Sequence, residues 1–260
     1  MSTPNISKLN RILQKAVPGT VLTSTWLAEH GVSKDLARKY VASGWLDRIG
    51  HGAYMRAGET ARWNGALFAL QTQLEMNVHV AGLSALQLKG LAHFLPAGQE
   101  KRVLLFSDGV ERVPSWFSKK DWGVELAHRC VQLFDDSEKL PVSDIQCQGF
   151  SVRASSPERA AFELLYSIQN NSDFDYARIL FDGFSSFRPG EVQKLLSTCR
   201  SVRVKRTFLW MAGECSHPWW KYVDLTNVGL GSGKRVVYGG GALDRELQIT
   251  VPKKGLIADV

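Results

Sequence analysis

The stretch GVSKDLARKYVASGWLDRIGHGAYMR, Gly31 to Arg56, decides the fold. Ser33 is a natural N-cap, because its hydroxyl can accept one of the N–H groups that open a helix. Gly44 stands where a helix C-terminus needs a left-handed residue. On a 100° wheel Leu36, Ala37, Tyr40 and Val41 share one side, and Lys34, Asp35, Arg38, Lys39 and Ala42 the other. A core stripe backed by a basic face with a small residue in it is what a helix entering a major groove requires. Beyond the Gly-Trp corner, Leu46–Ile49 and Ala53–Arg56 read as paired strands, with Gly50 and Gly52 supplying the φ > 0 conformations of a tight tip. Arg48 and His51 would project from that tip, and Trp45 would close the base of the helical core.

Working outward, SKLNRILQKA places Leu9, Ile12, Leu13 and Ala16 at helical spacing behind Ser7, and Val17-Pro18-Gly19 ends that helix. TSTWLAEHG reads as a short second helix, capped by Thr23 and stopped by Gly31. Three helices, a tight turn between the second and third, and a hairpin make a winged helix-turn-helix. The alternative is the same fold used only for protein contact, its charges solvated. The cations collect on the third helix and wing, which favours DNA. Ser33, Lys34, Arg38, Lys39, Arg48 and His51 are the candidate DNA-binding residues.

The charge distribution supports this. The net charge is +7. Residues 1–62 carry nine Lys and Arg against four Asp and Glu, residues 63–186 eleven against fifteen, and residues 187–260 twelve against six. Two separate cationic surfaces flanking an acidic middle suit polyanions. Composition is that of a globular chain with a real core. No apolar run reaches membrane-spanning length and no signal peptide opens the chain, so a cytoplasmic protein with no membrane partner is expected. Cys130, Cys147, Cys199 and Cys215 lie far apart, which favours free buried thiols over a disulfide or zinc site.

Downstream the pattern is mixed. ETARWNGALFALQTQL has helical spacing and should pack on the winged domain, and VHVAGLSALQLKG gives another short helix. KRVLLFS and GVELAHR read as strands, the second with period-two alternation. SSPERAAFELL opens a helix with Ser156 as cap, Pro157 in the first turn and Glu158 suited to the dipole. RPGEVQKLLSTC and VRVKRTFLWMAGEC read as successive helices, and the tail as Gly-punctuated β structure. FLPAGQEK is the natural boundary. The expectation is an α+β protein: a winged helix-turn-helix region with trailing helices over 1–95 (core 1–58), followed by a larger mixed α/β C-terminal domain over 96–260.

Several chemistries are excluded by spacing. VGLGSGKR has Val228 where a Walker loop needs its first glycine and Arg235 where it needs Ser or Thr, so a turn is the better account. His30, His51, His79, His93, His128 and His217 never form H-x-x-H or H-E-x-x-H spacing, and His217 before Pro218-Trp219-Trp220 reads as structural. No G-x-S-x-G elbow occurs. Glu191 and Lys194 have the wrong spacing for a nuclease. Asp135-Asp136 reads as solvated charge. No metal, cofactor or enzyme activity is expected.

Taken together, GWLDRIGHGAYMR, WNGALFALQ, VAGLSALQLKGLAHFLP, SSPERAAFELL, RPGEVQKLLSTCRSVRVKRTFLWMA, HPWWKYVDL and LGSGKRVVYGGGALDRELQITVP resemble the AbiEi antitoxins of type IV abortive-infection toxin–antitoxin systems, over nearly the whole length. The resemblance implies an N-terminal winged domain that represses its own operon and a C-terminal domain that antagonises a nucleotidyltransferase-like toxin without a stable complex. It places operator contact on Lys34, Arg38, Lys39, Arg48 and His51. It would also make Arg200, Arg203, Lys205, Arg206, Lys234 and Arg235 an antitoxin surface for RNA, nucleotide or toxin. A solvated helix face plus a tight turn explains these six equally well.

Three functions follow: a DNA-binding antitoxin and autorepressor, a stand-alone regulator with a ligand- or partner-sensing C-terminal domain, and a nucleic-acid enzyme. The first is preferred, acting on inverted repeats of double-stranded operator DNA. Without a long heptad the chain is expected to be a monomer in solution, paired on DNA.

Overall fold

The computed structural model describes residues 8–92, 102–109, 112–135, 142–226 and 228–253. Ser7, His93, Asp136 and the FLPAGQEK boundary lie outside the described residues. The chain divides into two compact units, each assembled from several stretches. The first takes 1–79, 98–130 and 144–153, and the second takes 80–97, 131–143 and 154–260.

In the first unit, α1 (Lys8–Lys15), β1 (Leu22–Thr23), α2 (Ser24–Glu29), α3 (Lys34–Ala42), β2 (Leu46–Gly50) and β3 (Ala53–Arg56) follow the sequence reading closely. The Thr23 side chain accepts from Trp26 N–H at the start of α2, and Ser33 from Leu36 N–H at the start of α3. Ile12, Ala16, Leu22, Leu27, Val32, Ala37, Leu46 and Tyr54 form one core, with Trp26, Leu36, Tyr40 and Val41 packed on it. β1 was not foreseen. It pairs antiparallel with β3 through Leu22↔Tyr54 and Thr23↔Ala53, giving a three-stranded sheet of order β1-β3-β2. α4 (Trp63–Thr72) packs on this core as expected: a Cβ on Gly65 would come within 2.1 Å of the Gly19 carbonyl oxygen.

β4 (Val78–Val80) leads to α5 (Gly82–Leu88). β5 (Arg102–Ser107) and β6 (Glu125–Cys130) pair in parallel from Arg102↔Glu125 to Ser107↔Cys130, and the short α6 (Ser115–Ser118) lies between them in sequence. With β7 (Val142–Gln146) and β8 (Ser151–Ser155) these strands make a sheet of order β6-β5-β4-β8-β7. β6 lacks the expected alternation: its four middle residues are all partly buried. At this edge of the sheet neither face of the strand is fully buried or fully open, so the two-face contrast on which period-two patterning depends is lost.

The second unit is built on α7 (Pro157–Ser167), α8 (Asn171–Asp182), α9 (Pro189–Thr198) and α10 (Val202–Cys215). Ser156 caps α7 and Pro157 stands in its first turn, as read. Phe162 stacks on Phe208 at 4.3 Å between ring centroids, and Phe181, Phe184, Phe187 and Trp219 continue the aromatic core. Glu163 is the polar hub. It accepts from Gly82 N–H at 2.9 Å, the Ser155 hydroxyl at 2.6 Å and Arg159 Nε at 2.8 Å, all buried. The tail is less β than expected. Among the described residues of the tail, β9 (Ala242–Asp244) and β10 (Ile249–Val251) pair, a single bridge joins Arg235 to Ile249, and turns, bends and irregular chain make up most of the rest.

Candidate nucleic-acid interface

The third helix presents the side the wheel assigned. Lys34, Arg38 and Lys39 are exposed, Ala37 is buried, and Leu36, Tyr40 and Val41 are partly covered by the core. Arg38 Nη1 lies 3.2 Å from Asp35 Oδ1, but the two side chains are 79% and 83% exposed. Water screens such a pair, so the guanidinium stays available to a stronger anion. Ser33 holds the helix start, so its role in any interface is to set the angle of the residues after it.

The wing differs from expectation in two details. Gly52 has the positive φ of a tight tip, at 72°, but Gly50 does not. A Cβ on Gly50 would meet the Trp116 Cβ at 2.7 Å, so close approach by α6, not turn geometry, explains this glycine. A bulge sets the register between Arg48 and Gly50. Arg48 is exposed and donates from Nε to the Gly50 carbonyl at 3.3 Å, and His51 stands exposed at the tip. Trp45 does not close the core: its side chain is 51% exposed. Its backbone makes the corner, with Trp45 N–H donating to Tyr40 O and Trp45 O accepting from Ala57 N–H. Leu46, fully buried, takes the place in the core expected of the tryptophan.

The second basic group does not form one continuous surface. Arg206 is only 3% exposed and Lys205 7%. The Arg206 guanidinium donates to the carbonyls of Leu230, Gly231, Gly233 and Gln248, at 2.9, 3.0, 2.6 and 3.3 Å. GLGSGK is therefore a loop wrapped around a cation. A phosphate loop turns N–H groups inward, whereas this one turns carbonyls inward, so the turn reading of VGLGSGKR gains a cause. Arg203 donates to Tyr166 O and Ile168 O and thereby caps α7. Arg200 is paired with Asp135 at 2.5 Å. Of the six, Arg200, Lys234 and Arg235 retain charge at the surface.

Other candidates resolve in the same way. The His217 ring meets the Phe181 carbonyl at 2.7 Å through Nε2, a structural tie as read. All four cysteines are free, but only Cys199 is buried and Cys130 is exposed, which corrects the expectation of uniformly buried thiols. Burial pushes the Cys199 thiol up to about 11. Burial, aided by Asp182, pushes Cys215 to about 12. Spacing missed one pair: the register of β5 and β6 brings Ser107 Oγ to 2.9 Å from His128 Nε2. Burial lowers the His128 pKa, but Ser107 is wholly buried, so its hydroxyl is closed to any substrate. Among the described residues no cluster of His, Cys, Asp or Glu could hold a metal ion, and no helix is long and apolar enough to cross a membrane.

Three helices, a capped basic third helix and a three-stranded wing define a winged helix-turn-helix fold. Two family models match the chain. One, described as "Transcriptional regulator, AbiEi antitoxin N-terminal domain", covers residues 5–97. The other, "Transcriptional regulator, AbiEi antitoxin, Type IV TA system", covers residues 100–252. The chain belongs to the AbiEi antitoxin family of transcriptional regulators, from type IV toxin–antitoxin systems. In fold it is similar to the crystal structure of the RV2827C protein from Mycobacterium tuberculosis. The TM-score is 0.53 over 93% of this chain and 88% of that one, at 14% identity, a likeness of fold alone. No curated protein matches the chain.

Proposed function

We propose that the protein binds inverted repeats in the DNA upstream of its own operon and represses transcription from it. In this reading Lys34, Arg38 and Lys39 enter the major groove, while Arg48 and His51 meet the backbone or minor groove beside it. The supporting observation is the exposed cationic side of α3, opposite the side on which Ala37 is buried and Leu36, Tyr40 and Val41 pack on the core. A monomer in solution would pair on the two half-sites. Residues 96–260 would carry the antitoxin function, opposing a nucleotidyltransferase-like toxin without a stable complex, with Arg200 and Lys234 as exposed cations and Arg235 partly exposed. The domain division at residue 95 belongs to this proposal.

The test is binding of the purified protein to its own upstream fragment and to unrelated DNA, across a salt series. Preference for the upstream fragment that is lost in Arg38→Ala supports operator reading through α3. Equal affinity for all fragments removes the operator, and absence of binding at low salt removes the DNA interface. The antitoxin half is tested by growth of cells expressing the toxin with wild-type protein or with Lys234→Ala/Arg235→Ala. Loss of rescue supports that surface, and unchanged rescue removes it.

A further inference from the structure

We propose that Lys119 and Lys120, at the end of α6, are a third DNA-contacting element that grips the phosphate backbone next to the wing. The inference rests on the operator-binding reading above. It extends the interface into the region matched by the second family model, beyond the N-terminal one.

Trp116 and Phe117 are the buried residues of α6, and Trp116 is pressed onto β2 at Gly50, the residue immediately before His51. Lys119, the C-cap of α6, and Lys120 just beyond it follow Trp116 closely in the chain, which keeps them near the contact with the wing. Both are exposed, as are Ser115 and Ser118. Trp122 fixes the turn that follows. It is buried, its Nε1 donates to Phe117 O at 2.8 Å, and its ring lies 5.5 Å beneath the Lys120 ammonium. Such a contact steers the aliphatic stem and leaves the charge in water. Neighbouring Asp121 accepts from Gly123 N–H through Oδ1 at 2.8 Å, within its own turn. Among the described residues neither lysine is ion-paired. Two ammonium groups among small hydroxyl side chains suit phosphate oxygens, and they carry no fork with which to read a base.

The experiment uses the full chain with Lys119→Ala/Lys120→Ala, measured on the upstream fragment and on unrelated DNA across salt. Affinity for both should fall about equally, on the order of 10-fold at moderate salt, and the log–log salt slope should become shallower by about two. Lys119→Arg/Lys120→Arg should restore both quantities. An unchanged thermal melt shows that the loss is not unfolding, since neither side chain is buried. A double variant with wild-type affinity and slope overturns this proposal and leaves operator binding through α3 standing. A wild-type protein that ignores DNA altogether overturns the operator reading and this proposal with it.

Discussion

Arg38 and Arg206 each sit in a helix rich in cations, and their surroundings are opposite. Arg38 stands in water with one weak partner one turn away, whereas Arg206 is enclosed by four backbone carbonyls. One guanidinium is held ready for something outside the molecule; the other is already satisfied by the molecule itself. The difference teaches that basic residues mark an interface only when the fold leaves their donors unspent. A carbonyl-lined loop can take up a cation as completely as any nucleic acid.

The comparison is most sharply tested by removing each cation. Arg206→Ala should lower stability by about 3 kcal/mol or more, because buried carbonyls of the glycine loop lose a charged donor, and a urea melt reads it. Arg206→Lys should recover only part, since one ammonium cannot span the same set. Arg38→Ala should change stability by less than about 0.5 kcal/mol. On the proposed operator-binding reading, a base contact by Arg38 would make the same variant cost about 1–3 kcal/mol of discrimination between operator and unrelated DNA, seen by titration. Equal melting losses in the two variants would break the contrast.

Arg188 is the intermediate case, 60% exposed yet bonded through Nε and Nη2 to Glu158, whose side chain is only 2% exposed. Burial alone would raise the Glu158 pKa, but hydrogen bonds from Arg188 and from the helix start hold it below the ordinary value. The depressed pKa means stability that is present above the ordinary glutamate range and lost as pH falls through the folded-state value. Glu158→Gln should therefore cost about 1 kcal/mol near neutrality, a figure reduced for the solvated arginine, and the gap to wild type should close in acid. Paired melts at neutral and acid pH check this. The smallest effect concerns thiols. At pH 8 native Cys199 and Cys215, raised to about 11 and about 12, should alkylate well after exposed Cys130, an order abolished by denaturant.

The wing was legible because its signals are local. Ser33 and Thr23 cap within three residues, and the core stripe of α3 repeats within one helix. Gly50 was legible as a glycine but not for its reason, since Trp116 reaches it from a stretch more than sixty residues away. Trp45 failed because Leu46, its neighbour, fills the core as well. The burial of Lys205 and Arg206 within the second basic group escaped the sequence for the same kind of cause. Helical spacing says which residues share a face, but not that a loop some twenty-five residues onward will fold over that face and consume its charge.

The first unit draws on stretches that alternate along the chain with those of the second. A ribosome delivers the chain from one end, so the helices of the wing emerge early, while α6 and the last strands of their unit follow much later. The brace behind Gly50 therefore cannot form until residue 116 has left the exit tunnel, and the unit cannot close until residue 153 has. A nascent chain released early carries the wing without its support, so an abortive translation product would present the basic helix beside an unbraced hairpin.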